Sequence, residues 1–245
     1  MIRVTDEDAL RVITLDRADK RNALTPEMLA GLTDALRTGE GTRAVLLRGA
    51  GRVFCAGFDL TLCRDDGPDQ PTLRSLLEGL SECVTALRAC EAPVIVAAHG
   101  AAIAGGCALL AGADVVVSDG DARLGYPVTI LGVSPAVNAA FLALAVGDGA
   151  ARRALLLPEL FSGAEGHRLG LVHELVVSRE DVEEHARVIA ESIAAKPGAG
   201  TGATKAWLNE LEDGRDAGSG AGLHASLSLV GGDESRALLK KAWTK

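Results

Sequence analysis

The chain has 245 residues, a length that suits one compact domain or one domain with a small appendage. Apolar residues make up 48% and charged residues 24%, which excludes wholesale disorder. The balance of 25 basic against 33 acidic residues gives a net charge of −8 with no basic run, which argues against a track for nucleic-acid phosphates. Four Phe, two Trp and one Tyr stand beside 29 Gly, so the core is expected to consist of Ala, Val and Leu with close, glycine-mediated backbone contacts.

In chain order, residues 2–5 and 10–15 read as two short strands. Thr25-Pro26 is an N-cap followed by proline at the first helical position, opening a helix to about Arg37. Arg43–Arg48 is a strand, and Gly49–Leu60 a glycine-punctuated loop. Residues 73–90 form an amphipathic helix, followed by a buried strand at Pro93–Ala98, a helix from near Gly105 and a strand at Asp114–Ser118. This alternation favours parallel pairing. Beyond residue 120, Ser134-Pro135 starts a helix, Ser162-Gly-Ala-Glu165 is a capping box for another, and Leu171–Val177 returns as a last strand. Val182, Ala186, Ile189 and Ile193 share one helical face between 179 and 195. A Gly/Ala-rich link at Pro197–Gly202 then precedes two or three terminal helices, which are too few to bury their own faces. They are expected to pack on the main body or on a neighbouring subunit.

Met1-Ile2-Arg3-Val4 runs directly into Asp6-Glu7-Asp8, so no apolar secretory segment is expected. The five cysteines (55, 63, 83, 90, 107) never form CxxC, which speaks against a disulfide framework or structural zinc and for buried thiols in a reducing cytoplasm. The uncharged stretch from Ala92 to Ala113 is long enough to span a membrane, but its proline and glycines fit a buried strand, a glycine turn and a buried helix.

Gly198-Ala-Gly-Thr-Gly-Ala-Thr-Lys205 lacks the Gly-Lys-Ser/Thr of a phosphate loop and reads as a flexible turn. Gly132-Val-Ser134-Pro lacks the second glycine of a nucleophile elbow, and no His, Asp or Glu cluster has metal spacing. His167, His173, His185 and His224 read as surface or capping residues. Two glycine-bearing turns after strands remain: Gly51-Arg-Val-Phe-Cys-Ala-Gly-Phe-Asp-Leu60 and His99-Gly-Ala-Ala-Ile-Ala-Gly-Gly-Cys-Ala108. Such turns bring unpaired N–H groups against a ligand, and two donors converging on one carbonyl stabilise an oxyanion.

These turns and their surroundings resemble the crotonase (enoyl-CoA hydratase/isomerase) superfamily. Asp16-Arg-Ala-Asp-Lys-Arg-Asn-Ala-Leu24 is similar to the family's opening motif, Arg43 through Leu60 to its first signature, and Ala92 through Cys107 to its second. Arg123-Leu-Gly-Tyr-Pro127, Leu131-Gly132 and Gly170-Leu-Val172 follow in the family's order. The resemblance implies an α/β spiral of β-β-α turns over residues 1–195, and a C-terminal helical region at 196–245 that drives homotrimers or dimers of trimers. It implies an acyl-CoA ligand, with coenzyme A as part of the substrate and no separate cofactor. The thioester carbonyl would be held by the backbone amides of Phe58 and Gly105. Carbonyls around Cys55 and Ala56 would lie near the adenine, with Lys20 and Arg21 at the CoA phosphates. Independently of the resemblance, the basic tail of an acidic chain leads to the expectation that Lys240, Lys241 or Lys245 reaches a neighbouring subunit's CoA phosphate.

The chain departs from the family where hydratases carry two glutamates, for those positions are Ala108 and Val128. The aspartate nucleophile of related dehalogenases falls on about Ala136. Ordinary hydration is therefore not expected. Three readings follow: a divergent acyl-CoA reaction using substitute groups, a non-catalytic acyl-CoA binder or carrier, and an assembly partner of an active paralogue. The candidate substitutes are Tyr126, Thr129, Ser134 and Asn138, with Asp59 and His99 flanking the oxyanion turns; Asp59 is expected to cap a helix and His99 to bond backbone.

Overall fold

The computed structural model describes residues 1–39, 41–213 and 219–243. The chain opens with an antiparallel hairpin of β1 (Ile2–Glu7) and β2 (Leu10–Leu15). Three further strands, β3 (Ala44–Gly49), β4 (Val94–Ala98) and β6 (Val115–Asp119), add successively in parallel to β2, and β9 (Glu174–Val176) completes the sheet. The order is β1-β2-β3-β4-β6-β9. Both faces of the parallel strands are covered, which is why they read as unbroken apolar runs. Leu46, Ile95 and Val117 pack against Val182, Ala186 and Ala190 of α7 (Val182–Ala194). Val45, Leu47 and Val96 face the larger core with α1 (Pro26–Ala35), α2 (Pro71–Ala89) and α3 (Gly105–Ala111).

A second, three-stranded sheet consists of β5 (Ala101–Ile103), β7 (Arg123–Gly125) and β8 (Leu160–Ser162). These short strands were not evident in the sequence, because three residues carry no readable alternation. They reveal a repeat. β4 leads to β5 and then α3, while β3 leads to Cys55, which bridges Ala102 of β5, and then to α2. β6 leads likewise to β7, and β5 and β7 pair in parallel. The chain thus combines strands and helices in an α/β fold followed by C-terminal helices, as the resemblance implied. The uncharged stretch 92–113 is β4, β5 and α3; among the described residues no helix is long and apolar enough to cross a membrane.

Three expectations need correction. The helix expected at Ser134-Pro135 is a single 3-10 turn, Pro135–Asn138, capped by Ser134; α4 (Ala139–Val146) and α5 (Asp148–Leu156) come after it. The last strand is confined to Glu174–Val176, because the Leu171 and Val172 N–H groups bond back to Gly166 in the C-terminal turn of α6 (Gly163–Leu169). The flexible link at Pro197–Gly202 does not exist, since α8 (Gly198–Asp213) already begins there. Tertiary anchors override the poor helix propensity of its glycines. Lys205 is buried, and its Nζ donates to Leu87 O, Ala92 O and Asp114 Oδ2, the last at 2.7 Å. Asn209 Nδ2 donates to Arg88 O.

The terminal helices α9 (Ser219–Leu227) and α10 (Asp233–Trp243) fold over their own chain. Ser226 Oγ donates to Ser134 O and accepts from Val137 N, tying α9 to the 3-10 turn. Gln70 Oε1 accepts from Gly231 N and Ser235 Oγ, tying the α9–α10 junction to the start of α2. Gly231 has φ +79°, and a Cβ there would lie 2.6 Å from Pro68 O. Lys245 lies outside the described residues.

The Lys205–Asp114 pair gives a direct test. Asp114→Ala strands a buried ammonium, and thermal or urea unfolding is expected to show a loss of about 3–5 kcal/mol. Lys205→Met, which deletes the buried charge itself, is expected to cost less.

Candidate active site

The first wall of the site depends on a loop whose conformation is fixed by Asn22. This residue is fully buried with φ +54°; its Nδ2 is shared among Ala50 O, Val53 O and Phe54 O, and its Oδ1 accepts from Arg17 N. A Cβ at Gly49 would collide with Phe54 O and approach Asn22 Nδ2 to 2.9 Å, so glycine makes the room for this side chain. With the loop held, Leu24 N donates to Gly57 O and Asp59 N donates to Leu24 O. In this parallel bridge the backbone groups of Phe58 point away from Leu24.

The second wall is the β5–α3 junction. Ala104 takes φ +50° and ψ −111°, a conformation that suits glycine, and its N–H is held by Gly125 O. Gly105 then opens α3. A Cβ there would come within 3.1 Å of Phe58 Cε1, so the Phe58 ring lies against the helix start. A Cβ at Gly106 would lie 2.6 Å from Cys55 O, which fixes how closely α3 approaches the first wall. Among the described residues neither the Phe58 N–H nor the Gly105 N–H has a protein acceptor.

Phe58 and Gly105 border one cavity of about 160 Å³. Ala56, Ala108, Tyr126, Val128, Ser134 and Asn138 border it too, together with leucines of α2. Thr129 borders a different, larger groove beside α4, α5 and α10. Cys55 does not border the cavity; it is fully buried, its Sγ donates to Asn22 O, and burial pushes the thiol up to about 12. Lys20 and Arg21 are exposed in the loop preceding Asn22. Asp59 caps the 3-10 turn Leu60–Cys63 by accepting from Thr61 N, and pairs with Arg17 at 2.8 Å. Burial pushes its carboxyl up, but Thr61 and Arg17 outweigh that and hold it below its ordinary value. His99 Nε2 lies 3.1 Å from Gly51 O, so both flanking residues are engaged with backbone or an ion pair.

Tyr126 is the one tyrosine of the chain and is fully buried. Its hydroxyl donates to Cys107 O at 3.2 Å and accepts from Asn138 Nδ2 at 2.8 Å. Burial, and then the Cys107 contact, raise it well above its ordinary value of 10.0. Among the described residues, no Asp, Glu, His, Lys or Arg borders the cavity. The site thus offers unpaired amide donors in an apolar setting, where such donors act most strongly on a developing negative oxygen. The roles of Asn22, Arg17 and Ala104 were not foreseen from the sequence; Asn22 lies within the opening motif, whereas nothing about an alanine signals a left-handed backbone.

Fold and cavity define an α/β protein with two unpaired backbone amides at the border of one apolar cavity. The family model described as enoyl-CoA hydratase/isomerase matches residues 5–221, and the chain belongs to that family. It is 31% identical over 212 residues to the 1,2-epoxyphenylacetyl-CoA isomerase of Escherichia coli, covering 84% of this chain and 80% of that protein. It is 33% identical over 215 residues to the (7aS)-7a-methyl-1,5-dioxo-2,3,5,6,7,7a-hexahydro-1H-indene-carboxyl-CoA hydrolase of Mycobacterium tuberculosis, covering 85% and 83%. The crystal structure of an enoyl-CoA hydratase/isomerase from Xanthobacter autotrophicus Py2 superposes with a TM-score of 0.89 at 28% identity, covering 100% of this chain and 93% of that one.

Two predictions follow from this geometry. Ala104→Gly relieves the left-handed backbone and is expected to raise stability by about 1 kcal/mol in urea unfolding. Alkaline absorbance titration is expected to show no tyrosinate in the folded chain near pH 10, the ordinary value for this group. Because the unfolded chain's tyrosine ionises there and the folded one's does not, Tyr126 leaves stability unchanged below that pH and lowers it as pH rises beyond it.

Proposed function

We propose that this chain binds an acyl-CoA thioester, with the Phe58 and Gly105 N–H groups holding the thioester oxygen, and that it is not an ordinary hydratase. The observation that carries this reading is the placement of Phe58, Gly105, Ala108 and Val128 around one apolar cavity. Two amide donors stabilise an enolate oxygen, while Ala108 and Val128 transfer no proton. General acid–base groups are each worth about 10²–10⁴ in rate. An oxyanion donor is worth about 10²–10³. The site therefore suits a reaction that forms the enolate without an enzyme base. Decarboxylation of a carboxylated acyl-CoA is of that class: the Cα–carboxyl bond breaks, its electron pair moves onto the thioester oxygen, carbon dioxide leaves and solvent reprotonates Cα. An apolar wall favours it by destabilising the departing carboxylate. Coenzyme A enters as part of the substrate, its adenine near the carbonyls around Cys55 and Ala56 and its phosphates at Lys20 and Arg21. The C-terminal region supports a homotrimer or a dimer of trimers.

The absence of ionisable side chains from the cavity wall also favours a second reading, a non-catalytic acyl-CoA binder. Crotonyl-CoA absorbance assays are expected to show negligible hydration by the wild type, and a gain of at least about 10² in rate for Ala108→Glu with Val128→Glu. Wild-type turnover like that of an ordinary hydratase would overturn the placement of the missing carboxylates. Carbon dioxide release from malonyl-CoA or methylmalonyl-CoA distinguishes catalysis from binding. If no CoA ester shifts the melting temperature, the pocket is vestigial and an assembly role takes its place.

A further inference from the structure

A cleft of about 360 Å³ lies where β2, β3 and β4 end, and it shares no bordering residue with the cavity of Phe58 and Gly105. Side chains alternate along a strand. Val12 and Leu46 pack under α7, so Thr14 and Arg48, two residues further on, emerge on that face of the sheet. There Arg48 Nε donates to Thr14 Oγ1 at 3.0 Å, and its Nη1 donates to Glu183 of α7. The cavity is bordered by leucines of α2, which packs on the opposite face. Among the described residues the cleft is bordered by Arg3, Arg48, Arg52 and Arg179, and by two carboxylates, Glu180 and Glu183. Arg179 Nη2 donates to Glu180 at 2.9 Å, and Arg3 pairs with Asp16 at 3.3 Å. Arg52 is exposed, and its guanidinium has no partner among the described residues. With Asp16 counted, one positive charge is left over, in a chain whose net charge is −8. Burial, and then the charges of Arg187 and Arg3, push the Arg48 guanidinium below its ordinary value, as expected where positive charge is in excess.

A glycine brings two of these arginines together. Gly100 has φ +68°, and a Cβ there would lie 2.5 Å from Arg52 O and 3.3 Å from Arg179 Cδ. His99 holds the same turn: it is buried, and its Nε2 lies 3.1 Å from Gly51 O, which only accepts, so this nitrogen is the donor. We propose that the cleft binds a phosphate dianion, free or as the end group of a small phosphomonoester, through Arg52 and Arg179. An arginine fork has more donors than one carboxylate takes, and among the described residues Arg179 uses only Nη2. A phosphate, with more oxygens and more charge than a carboxylate, joins two such forks at once. Among the described residues no Phe, Tyr or Trp borders the cleft, so a nucleobase finds no stacking partner and a small organic group suffices. The inference stands apart from the acyl-CoA reading, because the two sites lie on opposite faces of the sheet.

Isothermal titration of the full chain at low ionic strength, with inorganic phosphate, glycerol 3-phosphate and a chloride control of matched ionic strength, tests the proposal. Both phosphates are expected to bind where chloride does not. Tighter binding of glycerol 3-phosphate supports a phosphomonoester as the occupant, and equal or tighter binding of phosphate supports the free anion. Arg52→Ala and Arg179→Ala are each expected to weaken binding about tenfold. Neither change removes a contact between β3 and α7, since Arg52 is unpaired and Arg179 meets only its neighbour Glu180. Arg152→Ala takes the same charge from a different groove and is expected to leave the affinity unchanged. Phosphate binding no stronger than that of chloride overturns the proposal, as does an affinity that both cleft variants leave unchanged or that Arg152→Ala weakens equally. Saturating coenzyme A is expected not to displace phosphate; displacement overturns the separate site and makes the cleft part of the coenzyme's own seat. If coenzyme A itself does not bind, the acyl-CoA reading loses support while the phosphate result still decides this one.

Discussion

One buried amide organises the site. Asn22 joins the loop after β2 to the loop after β3 through carbonyls of Ala50, Val53 and Phe54, at the point where Gly49 leaves space for it. The loop after β3 is also held by the bridge of Cys55 to Ala102 of β5. Without the clamp, the Leu24–Phe58 bridge has no reason to form, and the Phe58 N–H has no fixed direction. Arg17 extends the arrangement: its N–H bonds Asn22 Oδ1 and its guanidinium meets Asp59, the residue after Phe58. The direction of the Phe58 amide is thus a consequence of side-chain hydrogen bonds outside the cavity. That of Gly105 depends on backbone strain at Ala104, held in place by Gly125 O.

The cavity itself reflects an electrostatic choice. Unpaired N–H groups tolerate an apolar surrounding because they are dipoles, while carboxylates in the same place would require desolvation or a raised pKa. With Ala108 and Val128 at the wall, that cost does not arise at those two positions. Tyr126 and Asn138 hold α3 to the 3-10 turn through Cys107 O, a structural use of two polar side chains, and among the described residues Asn138 Oδ1 is left unmatched.

Most of the sheet was legible in the sequence because its strands are buried on both faces and bounded by glycine or proline. The helix at Thr25-Pro26 was legible from its cap, and Thr25 does accept from Met28 N. The second sheet escaped because its strands contain three residues each and pair only through the fold. The start of α8 escaped because glycines at 198, 200 and 202 signal a turn, whereas the buried Lys205, ninety-one positions from Asp114 in sequence, decides otherwise. At the site, the glycine turns and the substituted positions 108 and 128 could be read from ordered motifs. The direction of the Phe58 amide, the conformation of Ala104 and the orphaned atom of Asn138 could not, since each arises from contacts between segments far apart in the chain.

The terminal helices have a thermodynamic consequence. Ser226 and the Gly231–Ser235 segment fasten onto Ser134, Val137 and Gln70 of the same chain, and Ser134 and Val137 border the cavity, so the terminal helices are joined to the cavity wall through these two residues. An occupant that binds the latched arrangement more tightly than the opened one favours the latch by that difference in binding free energy. Local opening of α9 and α10 then becomes a gauge of occupancy, readable by amide exchange without any assay of turnover.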